Sequence, residues 1–390
     1  MLVLLGALSA FPPMATDAYL PALPTIAREL NASASLAPLT VSSFFIGMGA
    51  GQLFYGPLSD RIGRIVPLLA GIVLFVAACI GAVFATSVEA LIALRLLQGL
   101  AGCSGVVIGR AIVRDKYEPA ETAQIYSMLM LVLGLAPILA PSIGSTILLF
   151  AEWRAIFWML AIFGAVCGIA SFLALTETRS AATAHQARLE SPFKSYGVLL
   201  RNRRILGYTL CGALTQAALF TYITNSPNLM TQVYGLSPQE FGWMFGINGI
   251  GLVLGNEINR RLLGRYSYDQ ILSYGNWFGV AVAVLLLTAA VTGFGGLYGI
   301  LVPLFLFVTQ MGFSIANAMA GAMAIDPLRA GSASALIGGA QFGVGAIAGA
   351  IASMLYDGTA VPMAGVMLLA ILLAGLFLRA LVKPDAGGQE

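Results

Sequence analysis

Two charged residues lie inside long apolar stretches of this sequence. Asp17 interrupts the apolar run 2–22, and Arg95 interrupts the run 88–109. A charge at the centre of a bilayer costs about 2.5–3.5 kcal/mol even on insertion-derived scales, so such a side chain must face a polar cavity or a partner inside the protein. Removal from water disfavours a charged carboxylate, and a nearby cation favours it. Asp17 is therefore predicted to load and release a proton, with Arg95 as a movable counter-charge.

Each of these charges also has a structural interpretation. Pro13, Asp17 and Pro21 share one face of a helix, so Asp17 lies beside two interruptions of the backbone hydrogen bonding. Since only a few residues separate Asp17 from the next loop, its side chain can instead reach outside water. Arg95 can hydrogen-bond a polar substrate or act as a static strut between helices one, two and four. The sequence leaves these alternatives open.

No other residues have the spacing of a catalytic or metal-binding site. Cys79, Cys103, Cys167 and Cys211 each lie in an apolar run without metal-ligand or redox spacing, which is typical of packing residues. The single histidine, His185, lies in a polar stretch, so no histidine metal site or Ser-His-Asp triad is available in the apolar runs. The sequence predicts no enzyme activity, no cofactor and no metal.

The composition places most of the chain in lipid. Of 390 residues, 59% are hydrophobic and 9% are charged, against about 45–50% and 25% in soluble domains. A soluble protein of this composition could not cover its surface with polar groups. Soluble enzymes and nucleic-acid-binding proteins are therefore excluded, and the net charge of +3 is too small to indicate a class of partner.

Twelve apolar segments are long enough to cross a membrane as helices, which takes about 20 residues each. They are continuous blocks, unlike the short alternating segments of a β-barrel, so the predicted fold class is an all-α membrane protein. No Lys or Arg precedes the first segment, which is expected to remain a helix and not to be cleaved as a signal peptide. The predicted spans are 2–22, 36–58, 65–85, 88–109, 122–149, 155–175, 204–226, 239–262, 271–293, 297–320, 332–355 and 361–381.

The chain divides into two pseudo-symmetric halves of six spans. A glycine and two polar residues after the second span recur at a constant offset after the eighth, and parallel repeats of this kind are typical of transporters with a site between the halves. We predict an N-terminal six-helix bundle at 1–178, a cytoplasmic linker at 179–203 and a C-terminal six-helix bundle at 204–390.

The distribution of Lys and Arg predicts the orientation. With the N-terminus in the cytoplasm, Arg28 and Arg154 fall in outer loops and Arg95 falls within a span, while the rest of the 20 Lys and Arg residues fall in cytoplasmic connections. This positive-inside distribution places both termini in the cytoplasm.

The segment GPLSDRIGR at 56–64 resembles the loop between helices two and three of the major facilitator superfamily, whose pattern is G-x-L-x-D-R-x-G-R. Its structural interpretation is a tight loop with a satisfied charge pair, since small residues let helices approach closely. In the family this loop gates transport, so the resemblance implies gating residues there and in the segment RAIVRDKY. They are Gly56, Asp60, Arg61, Gly63, Arg64, Arg114 and Asp115.

Two further segments resemble the same superfamily. LIALRLLQGLAG at 91–102 is similar to its fourth-helix motif, and GLAPILAPSIG at 134–144 is similar to the fifth-helix motif of its proton-driven exporters. The prolines and glycines of the second segment share one helical face, which indicates a packing seam with a hinge. Ala136 and Ser145 replace family glycines, which keeps facilitators without this motif as an alternative. The implied gating residues are Pro137, Pro141 and Gly144.

Three segments narrow the resemblance to the Bcr/CflA group of drug:proton antiporters: TDAYLPALP at 16–24, RAIVRDKY at 110–117 and EWRAIFW at 152–158. The resemblance implies proton-coupled export of small amphipathic drugs, of amphenicol, bicyclomycin or sulphonamide type, across a bacterial inner membrane by alternating access. The expected partners are the drug, protons and membrane lipids, without nucleic acid, and the expected state is a monomer. Export of a physiological amino acid or sugar and a non-transporting sensor on the same fold remain alternatives.

The family fold implies a cleft between the halves, and polar or aromatic residues at mid-depth are the candidates for its lining. Each of them also has a structural interpretation as packing or as interhelical hydrogen bonding. The candidates are Tyr19, Phe44, Phe45, Gln52, Gln98, Met128, Tyr222, Asn225, Asn248, Gln310, Asn317 and Gln341, with Ser43 beside them.

Other aromatic and acidic residues lie near the predicted ends of spans. Trp153, Trp158, Tyr234, Trp243 and Trp277 are predicted to belong to the aromatic belt of the membrane interface. Glu240 and Glu257, near the two ends of the eighth span, are weaker candidates for a second protonation site.

Overall fold

The computed structural model describes residues 1–33, 35–181, 192–326 and 329–382, and all regular structure in these residues is helical. The helices of the N-terminal half are α1 (Leu2–Ser9), α2 (Phe11–Asp17), α3 (Leu23–Glu29), α4 (Leu39–Ile62), α5 (Ile65–Val83), α6 (Val88–Lys116), α7 (Pro119–Phe150) and α8 (Arg154–Ala174). Those that follow are α9 (Pro192–Arg201), α10 (Arg203–Asn228), α11 (Pro238–Leu262), α12 (Tyr268–Thr292), α13 (Gly296–Ile325), α14 (Ala330–Met354) and α15 (Val361–Leu381).

Helix is present at each of the twelve predicted spans. Within the described ranges, seven helices are long and apolar enough to cross a membrane, namely α5, α6, α8, α12, α13, α14 and α15. The first span falls short because it is broken into pieces, and α4, α10 and α11 carry more polar residues. In α7, the described residues contribute the shorter apolar stretch Ile138–Phe150. The all-helical membrane fold is confirmed, and the number of twelve crossings stays a prediction.

Side-chain caps determine where several helices begin. The Ser87 hydroxyl accepts the Ala90 N–H at the start of α6. Ser237 and Glu240 form a capping box at the start of α11, in which each side chain accepts the other residue's backbone N–H. These bonds satisfy N–H groups that have no partner within the first turn of a helix.

The first span is interrupted by its prolines. Pro12 and Pro13 lie in the first turn of α2, Pro21 lies in a 3₁₀ turn at Leu20–Ala22, and Pro24 lies in the first turn of α3. Proline lacks an N–H and cannot continue the hydrogen bonding of a preceding helix. The chain therefore crosses this region in short pieces, and α2 ends at Asp17.

Glycines allow close helix packing within each half. Gly47 of α4 and Gly99 of α6 each lie against the backbone of the other helix, so that a Cβ at either position would overlap a carbonyl oxygen. Gly255 of α11 and Gly312 of α13 pack in the same way in the second half. The second span thus packs on the fourth and the eighth on the tenth, as expected for two related halves.

The two halves meet along two helix pairs, α4 with α14 and α7 with α11. A Cβ at Gly49 would lie 3.1 Å from the Gly339 carbonyl oxygen, and a Cβ at Gly242 would lie 3.2 Å from the Pro141 carbonyl oxygen. Both pairs are therefore close contacts between backbones, of the kind that small residues permit in membranes.

Part of the predicted linker forms the helix α9, which the sequence analysis did not anticipate. The Tyr196 hydroxyl donates to the Leu53 carbonyl oxygen at 3.2 Å. Leu199 is buried with Ile205 and Ala333. This helix therefore contacts both halves of the protein.

Candidate functional site

Asp17 is buried at the boundary between the two halves. The residue is 6% exposed. Among the described residues, no hydrogen bond or ion pair to its carboxylate is found. The carboxylate acts electrostatically on the phenol of Tyr222, which belongs to α10 of the second half. An unpaired carboxyl facing the opposite half is the arrangement that proton exchange at Asp17 requires.

Tyr222 connects Asp17 to the polar interior of the second half. The Asn248 Nδ2 group of α11 donates to the Tyr222 hydroxyl at 2.6 Å. The Tyr222 ring stacks on Phe245 with centroids 5.6 Å apart. Tyr222 and Asn248 were both candidates for the cleft, and the structure brings them together on the side facing Asp17.

Arg95 lies in the interior of the N-terminal half. Its guanidinium carbon is 4.5 Å from the ring centroids of both Tyr19 and Phe44. Its Nη1 group donates to the Ala15 carbonyl oxygen at 2.9 Å and to Gln98 Oε1 at 2.5 Å. The residue is 0% exposed, and within the described ranges its Nε and Nη2 atoms have no hydrogen-bond partner. The Arg95 charge is therefore stabilised by two aromatic faces and a carbonyl oxygen, and not by a carboxylate of the described residues.

This geometry favours the strut interpretation of Arg95. The arginine joins the first span to α4 and α6, and Gln98 extends the chain of contacts to Cys79 of α5, whose Sγ accepts from Gln98 Nε2 at 2.9 Å. The Tyr19 hydroxyl is 2.8 Å from Thr40 Oγ1 of α4. In the described part of the chain, Arg95 and Asp17 form no ion pair.

The proline–glycine stripe of α7 lies between the first span and α11. Gly144 packs directly against the Ala18 carbonyl oxygen. One turn away, the Pro141 carbonyl oxygen and the Ser145 hydroxyl face Gly242 of α11. The predicted seam therefore touches both the residue next to Asp17 and the opposite half. The side chains of Met128 and Pro137 lie outside the described part of the structure.

Three aromatic rings meet where α4 faces the second half. Phe45 stacks on Phe220 with centroids 3.8 Å apart and planes 6° from parallel. The ring centroid of Phe342, on α14, lies 6.1 Å from that of Phe45 and 5.3 Å from that of Phe220. Gln52 lies two turns further along α4, where a Cβ at Gly338 would be 3.2 Å from Gln52 Oε1. Phe45 and Gln52 thus join Tyr222 and Asn248 at the boundary between the halves.

The other cleft candidates lie within one half. Tyr19, Phe44 and Gln98 surround Arg95, as described above. In the second half, polar side chains hydrogen-bond between neighbouring helices: Asn225 Nδ2 to the Gly349 carbonyl at 3.2 Å, Gln310 Nε2 to the Gly275 carbonyl at 3.0 Å, and Asn317 Nδ2 to Asn259 Oδ1 at 2.8 Å. Gln341 is buried beside Gly212 of α10. These contacts correspond to the structural interpretation of each residue.

A charged cluster joins the ends of α4, α5 and α6. Arg64 is fully buried, and it donates from Nε to Asp115 Oδ2 at 2.7 Å and from Nη1 to Asp60 Oδ1 at 2.6 Å. Although burial opposes the charge, the bonds and negative charges of Asp115 and Asp60 raise the pKa of Arg64. Arg114 adds a second cation, 3.9 Å from Asp60 and 3.8 Å from Asp115. The charged gating candidates therefore lie together.

Glu177 completes this cluster, although the sequence analysis missed it. Its carboxylate accepts the Arg64 N–H at 2.8 Å and the Arg179 N–H at 2.9 Å. Burial raises the pKa of the Glu177 carboxyl, but these backbone bonds and one from Ile65 outweigh it, so the pKa is lowered. Gly63 has a φ of +104°, and a Cβ there would meet the Glu177 carboxylate. The polar run TETR directly after the sixth span was the available signal.

The remaining members of the loop motif lie around the charged cluster. Gly56 faces Val107 of α6, with 3.9 Å between its would-be Cβ and Val107 Cγ1. Arg61 is exposed, and its carbonyl oxygen accepts from Arg179 Nη1 at 2.5 Å.

Three secondary predictions need correction. Trp153 is 0% exposed, and its Nε1 group donates to Glu29 Oε2 at 2.7 Å, so its assignment to the aromatic belt is wrong. Glu240 is exposed and caps α11. Glu257 accepts from Arg260 and Arg261 at 2.8 Å each. Both acids have structural partners, which argues against a second protonation site at either.

Comparison with known proteins supports the fold and the motifs. Residues 5–353 match the family model described as Major Facilitator Superfamily. The chain belongs to this superfamily. It is 34% identical to the MFS-type transporter YdgK of Bacillus subtilis (strain 168), over 98% of this chain and 96% of the relative. It is 31% identical to a bicyclomycin resistance protein homolog of Haemophilus influenzae, over 92% and 90% of the two chains.

A third relative and two solved structures extend this comparison. The chain is 30% identical to a chloramphenicol resistance protein of Pseudomonas aeruginosa, over 96% of this chain and 89% of the relative. It superposes on the D-xylose-proton symporter with a TM-score of 0.76 at 15% identity, covering 98% of both chains. For the xylose transporter XylE from E. coli the TM-score is 0.77 at 14% identity, covering 100% of this chain and 99% of that one. These structures show the fold alone.

As a member of the Major Facilitator Superfamily, the protein is a multi-pass membrane protein of a transporter family. The predicted resemblance to the superfamily is confirmed, and the names of two relatives are consistent with its Bcr/CflA group. The buried charges, the seam of α7 and the charged cluster therefore belong to a transporter scaffold.

Proposed function

We propose that this protein exports small amphipathic drugs, of amphenicol, bicyclomycin or sulphonamide type, in exchange for protons across a bacterial inner membrane. The observation that carries the proposal is the position of Asp17. It is a buried carboxyl without a partner among the described residues, at the boundary between two halves that must move relative to each other for alternating access.

Asp17 can couple to such a movement because its surroundings come from both halves. Tyr222 of the second half is its electrostatic neighbour, and α7 contacts the chain at Ala18 on one side and α11 on the other. A change in the angle between the halves alters how well Asp17 is solvated, and solvation decides whether its proton is held. Coupling requires that proton and drug favour opposite states of this equilibrium.

The energy of one proton is sufficient for useful export. A membrane potential of about 150 mV supplies about 3.5 kcal/mol per charge moved. At about 1.4 kcal/mol per factor of ten, this sustains a gradient of a few hundred-fold in a neutral drug. A stoichiometry of one proton per neutral drug molecule is therefore adequate.

The substrate class rests on the relatives and on the boundary residues. The named relatives include bicyclomycin and chloramphenicol resistance proteins. At the boundary, the Phe45 ring stacks on the Phe220 ring, Gln52 lies beside Gly338, and the Tyr222 hydroxyl accepts from Asn248. An apolar surface with a few fixed polar groups suits a compact amphipathic molecule.

The test is transport of labelled chloramphenicol into inside-out proteoliposomes under an imposed pH gradient, acidic inside. Wild-type protein is expected to accumulate the drug, whereas Asp17→Asn is expected to lose accumulation while keeping its folded yield and unfolding temperature. Asp17→Glu, which keeps a titratable group, is expected to retain part of the activity.

Asp357→Asn is the matched control, because Asp357 is an exposed acid in the loop before α15 whose carboxylate accepts from Thr359. Full gradient-driven accumulation in Asp17→Asn would remove Asp17 from the mechanism. Amino acids and sugars are tested in parallel, and accumulation of one of these without chloramphenicol would favour export of a physiological substrate.

A further inference from the structure

A groove on the outer surface of the second half lies between α12 and α15, apart from the boundary between the halves. It has a volume of about 180 Å³, and its polar lining comes from Ser273, Asn276, Trp277 and Arg379. Trp277 is 50% exposed and neighbouring Leu376 is 59% exposed, so this face lies against lipid. The transport mechanism proposed above uses none of these residues.

Arg379 carries a charge that the described part of the protein does not neutralise. Its guanidinium carbon lies 4.2 Å from the centroid of the Trp277 ring. Within residues 1–33, 35–181, 192–326 and 329–382, no carboxylate lies within ion-pair distance of it. Stacking on indole holds the plane of the guanidinium in place while its N–H groups stay available. A fixed guanidinium fork matches the oxygens of a phosphate.

Asn276 supplies a second, independent sign of a missing ligand. The residue is 6% exposed, and its Oδ1 atom has no hydrogen-bond partner among the residues that the structure describes. Its amide lies against Gly375 of α15, where a Cβ would overlap it. A buried polar group without a partner is costly, so such groups are normally satisfied by a bound molecule or by protein. The amide at this position can bond a hydroxyl group or an ester oxygen of a ligand.

The lining changes from polar to apolar along the groove. Ser273 and Arg379 lie towards the end of α12 and α15 that the Lys and Arg distribution places at the cytoplasm. Val280 and Leu372 line the groove deeper in the membrane. A phospholipid has the same order of groups, since its charged headgroup lies at the surface and its acyl chains extend inward.

We propose that this groove binds one anionic phospholipid of the cytoplasmic leaflet, of phosphatidylglycerol type. The phosphate bonds to the Arg379 guanidinium, and the glycerol hydroxyls bond to Asn276 and Ser273. A net anionic headgroup neutralises the unpaired arginine, whereas a zwitterionic headgroup brings its own cation to the same place. The opening onto the acyl-chain region favours a lipid over free phosphate.

The test is native mass spectrometry of the delipidated, detergent-solubilised full chain, titrated separately with phosphatidylglycerol, phosphatidylethanolamine and phosphatidylcholine. We expect the first phosphatidylglycerol to bind more tightly than either zwitterionic lipid. Arg379→Gln is expected to weaken that first binding roughly five-fold, the size of effect of one basic residue at a membrane surface. The affinity of Arg379→Lys for phosphatidylglycerol is expected to lie between those of wild type and Arg379→Gln, since lysine keeps the charge without the planar fork.

Arg261→Gln is the matched control, because Arg261 is another exposed arginine that is already paired with Glu257 at 2.8 Å. It is expected to bind the first phosphatidylglycerol as wild type does. Equal binding by Arg379→Gln and wild type, with both unfolding at the same temperature, would overturn the proposal. Tighter binding of phosphatidylethanolamine, or displacement of the lipid by millimolar inorganic phosphate, would also overturn it.

Discussion

Gly144 of α7 packs directly against the backbone carbonyl oxygen of Ala18, the residue that follows Asp17. No side chain fits between the two helices at this point. The same part of α7 touches Gly242 of α11, so α7 contacts both the segment that carries Asp17 and the other half. A movement between the halves is therefore transmitted to the backbone beside Asp17 through a contact that depends on glycine.

Replacing Gly144 is expected to block transport. In Gly144→Ala the new methyl group would overlap the Ala18 carbonyl, so α7 and the first span must separate. Gly343 lies at the same sequence offset from Gly144 as Gly255 does from Gly56, which makes it the equivalent position of the second repeat, and a Cβ there meets nothing among the described residues within 4 Å. Gly343→Ala is therefore the matched control and should transport at the wild-type rate. Drug accumulation in proteoliposomes measures both, and equal activity of the two variants would show that the close contact is dispensable.

Arg95→Lys is expected to lower stability more than it changes the pH dependence of export. Lysine loses the planar stacking between Tyr19 and Phe44, and each desolvated cation–π contact contributes up to about 2 kcal/mol. The unfolding temperature of Arg95→Lys in detergent should therefore be several degrees below that of wild type. Arg28→Lys, at an exposed outer position, serves as the comparison. A stable Arg95→Lys protein with an altered pH profile would instead support Arg95 as the movable counter-charge.

Tyr222→Phe is expected to destabilise the second half through Asn248. The substitution removes the acceptor of the 2.6 Å bond from Asn248 Nδ2, and an unsatisfied buried donor costs about 1–3 kcal/mol. Asn248→Leu removes the donor of the same bond. The double variant lacks both donor and acceptor, so it should lose less stability than the sum of the two single losses. Chemical unfolding of wild type, the two single variants and the double variant gives the coupling free energy between Tyr222 and Asn248. Strict additivity would indicate that the bond contributes nothing.

Glu177 is expected to stabilise the charged cluster at the ends of α4, α5 and α6 in a pH-dependent way. Its pKa is lowered from the usual 4.5, so its contribution is complete above that pH and is lost as the pH falls through the lowered pKa. Glu177→Gln should therefore unfold at a lower temperature than wild type at pH 7, and the difference should shrink below pH 4.5. Glu152→Gln, at a side chain that is 75% exposed, should show no such trend. A constant difference across the acid range would contradict the assignment.

The charged cluster shows how much of a site could be predicted from short sequence motifs. Asp60, Arg64 and Asp115 were recognised as gating candidates from short patterns, and the structure places both carboxylates within hydrogen-bond distance of Arg64. Glu177 was missed because it lies more than a hundred positions from Arg64, in a polar stretch that reads as the start of a linker. Only the packing of α8 beside α5 brings its carboxylate to the start of α5.

The cleft candidates show that residue type and depth within a span are not enough to predict which residues line the boundary between the halves. Phe45 and Gln310 were selected by the same reasoning, as polar or aromatic residues at mid-depth of a span. Phe45 meets Phe220 across the boundary between the halves, whereas Gln310 bonds to Gly275 within one half. The rotation of each helix about its axis separates these outcomes, and that rotation depends on packing against several neighbours at once.

The sequence by itself determined that the protein is helical, lies in a membrane and belongs to a two-fold repeated transporter class. Those properties follow from local quantities, namely the length of apolar runs, the placement of basic residues and short motifs. Only the tertiary structure decided that Asp17 lies within electrostatic range of Tyr222 of the other half while Arg95 is held between Tyr19 and Phe44. Both charges interrupt similar apolar runs, and their different partners arise because contacts between distant segments depend on how whole helices pack.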